Sequence, residues 1–181
     1  MVRGVIMKKL LIVVDYQIDF VSGSLGFPKA AELEEGIYQK IKDYKENNQD
    51  VIFTFDTHDT NYLKSQEGRN LPVEHCIKGS EGWKLYGKVA DLYDKDTLSY
   101  EKPTFGSLEL AEYLRDRKYD SIELIGLVSN ICVISNAILA KAALPEAQII
   151  VDASCTTSFD NKLNDKALDV MEGLQIKVLN R

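Results

Sequence analysis

Cys132 lies in the stretch Gly126-Leu127-Val128-Ser129-Asn130-Ile131-Cys132-Val133, where an apolar strand-like run, Ser121 to Ile125, turns into a helical segment from roughly Asn130 to Ala143. A helix N-terminus carries partial positive charge and free N–H groups. Both favour thiolate over thiol. The same N–H groups can hold the oxyanion that forms when a thiolate attacks a carbonyl. The chemistry expected of Cys132 is therefore nucleophilic attack on an acyl carbon. A lone cysteine is also a common buried structural residue, so the reading depends on partners. Asp15 follows the apolar run Leu10 to Val14. Asp56 and His58 follow Val51 to Phe55. Lys102 follows a weaker strand-like segment, Asp96 to Tyr100. The irregular stretch Asp56 to Trp83 carries both histidines of the chain, His58 and His75. Structureless loops of that length are uncommon in compact domains and are often functional.

The elements that must position these residues alternate along the chain. Leu10 to Val14 is continuously apolar, as a parallel strand covered on both faces should be. Ala31 to Asn47 reads as a helix with Leu33, Ile37 and Ile41 on one face. Val51 to Phe55 is a second strand, Leu85 to Leu92 a short helix, and Leu108 to Arg117 a helix capped by Ser107. After the strand Ser121 to Ile125, the helix Ile131 to Ala143 stops near Pro145. Ala147 to Val151, Lys162 to Glu172 and Gln175 to Leu179 follow as strand, helix and strand. This alternation predicts a three-layer, doubly wound (Rossmann-like) α/β fold, with a mainly parallel sheet of about six strands and helices on both faces. In such sheets ligands bind beyond the carboxyl ends of the strands. Asp15, Asp56, His58, Lys102 and Cys132 all converge on that edge.

Composition narrows the class. The chain has 181 residues, 45% of them hydrophobic, which suits one domain over residues 1–181. The net charge is -6 and no Lys/Arg cluster stands out, so no nucleic-acid partner is expected. Apolar runs are strand-sized, so no membrane partner is expected either. The basic segment Met1 to Lys9 leads into a strand without a small-residue cleavage site, which points to a cytoplasmic protein. Met7-Lys8-Lys9 offers a second possible start. Cys76, Cys132 and Cys155 are odd in number and widely spaced, which predicts reduced thiols rather than a disulfide framework.

Three segments together resemble the signatures of the isochorismatase-like cysteine hydrolases, a superfamily that includes the nicotinamidases and pyrazinamidases. They are Leu11-Ile12-Val13-Val14-Asp15-Tyr16-Gln17-Ile18-Asp19-Phe20, Glu101-Lys102-Pro103-Thr104-Phe105-Gly106-Ser107, and the stretch around Cys132. The resemblance runs in the same order from Lys9 to Leu179. It implies a triad of Asp15, Lys102 and Cys132. Cys132 would form a thioester, Asp15 would carry the proton, and Lys102 would hold Asp15 and stabilise the thiolate. The N–H groups of Val128 and Cys132 would form the oxyanion hole, with a cis peptide at Leu127-Val128. Phe20, Phe105 and Leu127 would contact substrate, although core packing explains the two phenylalanines equally well.

The resemblance also implies a divalent metal held by Asp56, His58 and His75. The segment Asp59 to Lys64 offers no further histidine, and Glu67 is the substitute. Two carboxylates and two imidazoles suit Zn²⁺ first, with Fe²⁺ or Mn²⁺ as alternatives. No organic cofactor is expected. The tryptophan that many nicotinamidases place before the last metal histidine is replaced by Leu71-Pro72-Val73-Glu74. The activity implied is hydrolysis of a small, nicotinamide-like carboxamide to acid and ammonia, by a homo-oligomer (dimer or tetramer). The alternatives are a metal-independent N-carbamoyl or other amide hydrolase, and a non-catalytic small-molecule-binding protein of the same fold.

Overall fold

The computed structural model describes residues 7–181. The question of whether Met1 or Met7 is the natural start turns on residues 1–6, outside the described residues. In chain order, β1 (Lys9–Val14) leads to α1 (Ile18–Val21), α2 (Pro28–Glu32), α3 (Glu34–Glu46) and β2 (Asp50–Asp56). Then come α4 (Gln66–Asn70), β3 (Leu98–Lys102), α5 (Leu108–Arg115) and β4 (Ser121–Leu127). The chain ends with α6 (Ile134–Ala143), β5 (Gln148–Thr157), α7 (Asn161–Gly173) and β6 (Lys177–Leu179). The six strands form one sheet in the order β3-β2-β1-β4-β5-β6, every neighbouring pair parallel. This is the expected doubly wound α/β architecture. Among the described residues, no helix is long and apolar enough to cross a membrane.

The apolar run of β1 feeds two cores because its side chains alternate faces. Leu10, Ile12 and Val14 pack with α5, α6 and α7 through Leu110, Leu114, Ala137, Ala140, Leu168 and Met171. Leu11 and Val13 pack on the opposite face with Ile37 and Ile41 of α3. Ser107 caps α5 as expected, its Oγ accepting from Leu110 N–H at 3.1 Å.

Several boundaries differ from expectation. The helix expected from Ala31 starts earlier, with Pro28 in the first turn of α2, and restarts at Glu34. The helix expected over Leu85 to Leu92 is a 3₁₀ stretch over Gly87–Leu92. Its first donors are spent elsewhere: Tyr86 N–H on the Tyr16 carbonyl and Lys88 N–H on Glu34 Oε1. β3 begins at Leu98 rather than Asp96, because Asp94 Oδ1 accepts from Asp96 N–H and Thr97 Oγ1 and closes a turn there. That shift carries Lys102 into the strand, directly opposite Asp56. β5 runs on to Thr157 past a register shift, so Cys155 is a buried strand residue rather than one following the strand.

Gly126, near the end of β4, has φ +108. A Cβ there would lie 2.1 Å from the Val14 carbonyl oxygen of β1. Only glycine tolerates both the torsion and the approach. Gly126→Ala is expected to cost about 2 kcal/mol or more, read as a fall in melting temperature by circular dichroism. An unchanged melting temperature would contradict this close packing of β1 against β4.

Candidate active site

β1 is flanked by β2 on one side and β4 on the other, so the winding direction reverses between β1 and β4. A crevice opens at the carboxyl ends of the strands at such a reversal. Asp15 comes directly after β1, and Cys132 follows β4. Between β4 and α6 the backbone makes a π-type turn, Ser129–Val133, in which Ile131 and Val133 N–H both donate to the Val128 carbonyl at 3.1 Å. The helix expected from Ile131 thus enters through this wider turn and becomes α-helical at Ile134. The Leu127–Val128 peptide is cis.

Three strand ends bring their side chains onto one ammonium. Lys102 Nζ lies 2.6 Å from Asp15 Oδ2, 3.3 Å from Asp56 Oδ1 and 3.5 Å from Cys132 Sγ, and it donates to the Thr104 carbonyl at 3.0 Å. Asp15 and the Lys102 side chain are wholly buried. Thr54 Oγ1 donates to Asp15 Oδ1 at 2.7 Å. Asp15 Oδ2 pairs with the ammonium, and the Asp15 carboxylate is also within hydrogen-bonding reach of the Cys132 thiol.

These surroundings change the expected state of the thiol. Cys132 is not a thiolate exposed at a helix end; its residue is 6% accessible. Burial pushes its pKa well up, the Lys102 charge pulls it back only in part, and Asp15 and Asp56 push it up further. Burial thus favours the neutral thiol, which needs a base to become a nucleophile. Asp15, raised by burial and opposed by Lys102, is a carboxylate better matched to receive a proton than an exposed aspartate.

Asp56 presents its second oxygen to the histidines. Asp56 Oδ2 is 3.0 Å from His58 Nε2 and 3.3 Å from His75 Nε2. Glu67 Oε1 is 3.7 and 3.8 Å from the same nitrogens. Asp56, His58 and His75 offer ligand atoms all within 4.8 Å of one another, and Glu67 stands just outside this set. Tetrahedral bonds of about 2.1 Å separate ligands by about 3.4 Å, close to the spacings seen. His75 Nδ1 is 2.8 Å from the Val73 carbonyl, which orients Nε2 inward. Burial and the Asp56 charge push Glu67 above the usual carboxylate range, a strain that a cation between the two would relieve. The donor set fits a divalent metal. Cys76, beside His75, is a buried free thiol whose pKa is driven up by burial, and it lies outside the close set.

Above the thiol lies a cavity of about 390 Å³. Its floor includes Cys132, Asp56, Glu67 and His75. Phe20 and Phe105, the two phenylalanines with alternative readings, both line it, as do Val128, Leu25, Phe27, Leu71, Ile131 and Phe159. Leu127 does not. It is fully buried in the core on the α3 face, because neighbouring residues at a strand end point opposite ways, and Val128 takes the cavity side. Trp83 also stays out, donating to Thr57 Oγ1 at 2.9 Å and packing on Phe55. Sequence reasoning missed Gln17, whose side chain accepts from Asp56 N–H at 2.8 Å and donates to the Asp56 and Trp83 carbonyls. A polar amide two residues after Asp15, at the end of an apolar run, was the available signal.

This is a doubly wound α/β protein with a buried acid–lysine–thiol cluster at the switch point of its sheet. The chain matches the Isochorismatase domain over residues 9–181 and belongs to the isochorismatase family. It is similar to an isochorismatase family protein, PncA, of Bacillus subtilis (strain 168), 33% identical over 168 residues, covering 86% of this chain and 90% of the relative. Among solved structures it resembles the nicotinamidase/pyrazinamidase PncA from Bacillus subtilis, with TM-score 0.86 and 31% identity over 96% of this chain and 100% of that one. It shares its fold with a pyrazinamidase of Pyrococcus horikoshii in complex with zinc, with TM-score 0.83 and 22% identity over 96% and 99% of the two chains.

Proposed function

We propose that the chain is a cysteine amidohydrolase of a small, uncharged, nicotinamide-like carboxamide, releasing acid and ammonia through a thioester. The class, a hydrolase of amide C–N bonds, is that of its nicotinamidase relatives. The observation that carries the mechanism is the Lys102 ammonium held between Asp15, Asp56 and the Cys132 sulfur, beneath an apolar cavity that Cys132 and Asp56 line. Asp15 takes the thiol proton as Cys132 Sγ attacks the carbonyl carbon. Lys102 stabilises the thiolate, and the N–H groups of Val128 and Cys132 receive the oxyanion. Collapse breaks the C–N bond, Asp15 returns its proton to the leaving ammonia, and a thioester remains. Asp15 then deprotonates a water that attacks the thioester, and the acid leaves as the thiol is restored.

Asp56, His58 and His75, with Glu67, would hold a divalent metal, Zn²⁺ first and Fe²⁺ or Mn²⁺ otherwise, supplying a Lewis acid in the cavity wall. An N-carbamoyl amino acid fits less well. It carries a carboxylate, and among the described residues no lysine or arginine lines the cavity. Cytoplasmic location, a single domain and a dimer or tetramer belong to the same proposal; gel filtration with light scattering reads the last.

The test is an ammonia-release screen over nicotinamide, pyrazinamide and other carboxamides, with and without a chelator. Hydrolysis of a neutral aromatic amide is expected. Exhaustive chelation should lower the rate by about tenfold or more, and added Zn²⁺ or Mn²⁺ should restore it. Full activity in the chelated protein would remove the metal from the mechanism. No hydrolysis of any amide would remove the substrate assignment.

A further inference from the structure

Asp19 lies in the Asp15-containing segment but outside the Asp15–Lys102–Cys132 cluster. Its side chain turns away from that cluster toward the loop that carries the second histidine. Asp19 Oδ2 accepts from Cys76 N–H at 2.7 Å, and Oδ1 accepts from Ser24 N–H at 3.2 Å. Its own N–H donates to the Gly82 carbonyl at 3.0 Å. Space around the carboxylate is closed: a Cβ at Gly82 would meet Oδ2 at 2.1 Å, and one at Gly23 would meet Oδ1 at 2.4 Å. The carboxylate is therefore wedged in one position.

The residue it holds joins the two histidines. Cys76 follows His75 directly and has φ +47, a left-handed torsion for a residue with a side chain. Such a torsion persists only where its surroundings enforce it. Cys76 donates to Asp19 through its N–H, and its carbonyl accepts from His58 N–H at 3.0 Å. Lys78 N–H then donates to the His58 carbonyl at 2.8 Å. The two peptide units of Cys76, one shared with His75 and the other accepting from His58 N–H, tie its backbone to both histidines. Phe20, the next residue after Asp19, packs on the His75 ring with centroids 5.6 Å apart. The short α1 thus fixes the His75 backbone through Asp19 and one ring face through Phe20.

We propose that Asp19 is a positioning residue of the Asp56–His58–His75 centre, acting through Cys76 N–H rather than on a metal or substrate. The inference rests on the metal reading above. An anionic acceptor suits this task, since charge-assisted hydrogen bonds are roughly twice as strong as neutral ones. Residues of this outer kind typically change metal affinity by about 10–100-fold when removed.

The test is Zn²⁺ affinity of the whole protein, by competition with a chromophoric chelator, for wild type, Asp19→Ala and Asp19→Asn. Asp19→Ala should weaken Zn²⁺ by about 10–100-fold. Asp19→Asn keeps an acceptor oxygen without the charge and should fall between, weakened by about three- to tenfold. It decides the question if the alanine variant does not fold. The absorption spectrum of Co²⁺-loaded protein is expected to change in both variants, which a merely structural loss in α1 would not produce. Wild-type affinity within twofold and an unchanged Co²⁺ spectrum in the folded variants would overturn the role of Asp19 and leave the metal centre standing. Failure of wild type itself to bind Zn²⁺ would overturn the metal reading and this inference with it.

Discussion

Cys132→Ala is expected to abolish amide hydrolysis, lowering kcat by at least about 10⁴-fold while leaving the protein folded. The substitution removes one sulfur from a site where the residue is already nearly enclosed, so the structural cost is that of a small cavity. The loss should fall on kcat more than on KM, because the cavity wall is built from Phe20, Phe27, Leu71, Phe105 and Phe159 and survives intact. Ammonia release measured against substrate concentration reads both parameters. Undiminished turnover would exclude the thioester route. The neutral resting thiol adds a second expectation: alkylation of Cys132 by a small reagent, with Cys76 and Cys155 replaced, should be slow at neutral pH and rise with pH.

The second large effect is structural as well as catalytic. Lys102→Met keeps the length and apolar stem of the side chain but removes the positive charge in contact with Asp15. Removing one partner from a buried ion pair typically costs about 3–5 kcal/mol, or roughly 10 °C in melting temperature for a chain of this size. Hydrolysis should fall by about 10²–10³-fold or more, since the thiolate loses its stabilising charge. The pH dependence carries a distinct signature. In the wild type, burial pushes the Asp56 carboxyl up, but Lys102 and the histidines overcome this and hold it below the usual carboxylate range. A depressed carboxyl stabilises the fold above its unfolded pKa of about 3.9 and loses that contribution as pH falls below it. Asp15 is already held above its ordinary value by burial, with Lys102 opposing that rise; without the ammonium its folded pKa rises further. The folded variant then binds more protons than the unfolded chain. It should therefore gain more stability than wild type as pH is lowered from 7 toward 5. Thermal unfolding across that range decides it. A variant as stable as wild type and flat with pH would mean that the ammonium does not hold the two carboxylates together.

The sheet was legible because β1 is apolar at every position from Leu10 to Val14, a pattern that burial on both faces demands. Ser107 was legible as a cap from its place before an amphipathic run. The convergence of Asp15, Asp56, Lys102 and Cys132 followed from one topological rule applied to several strand ends. Four things were not legible, each for a physical reason. Which of Leu127 and Val128 faces the cavity depends on where β4 ends, and a one-residue change reverses the side chain. The state of Cys132 depends on how much protein closes over it, which no local spacing encodes. The cavity wall draws Phe27, Leu71 and Phe159 from separate loops, so no motif announces it. Gln17 and Asp19 stood within a recognised segment, but their partners are backbone groups of distant residues, and backbone groups leave no trace in sequence.

The carboxylate of Asp56, shared between Lys102 and the histidines, has a consequence for valence. Asp15, Asp56 and Glu67 are three anions around one ammonium, all within a largely buried space. Three carboxylates set against one ammonium leave an excess of two negative charges among these four groups. An uncompensated charge in such a medium is costly. A doubly charged ion cancels it; a singly charged ion leaves a residue, and a triply charged one overshoots. Charge balance among these groups, as much as the spacing of the donors, would favour a doubly charged ion at the proposed centre.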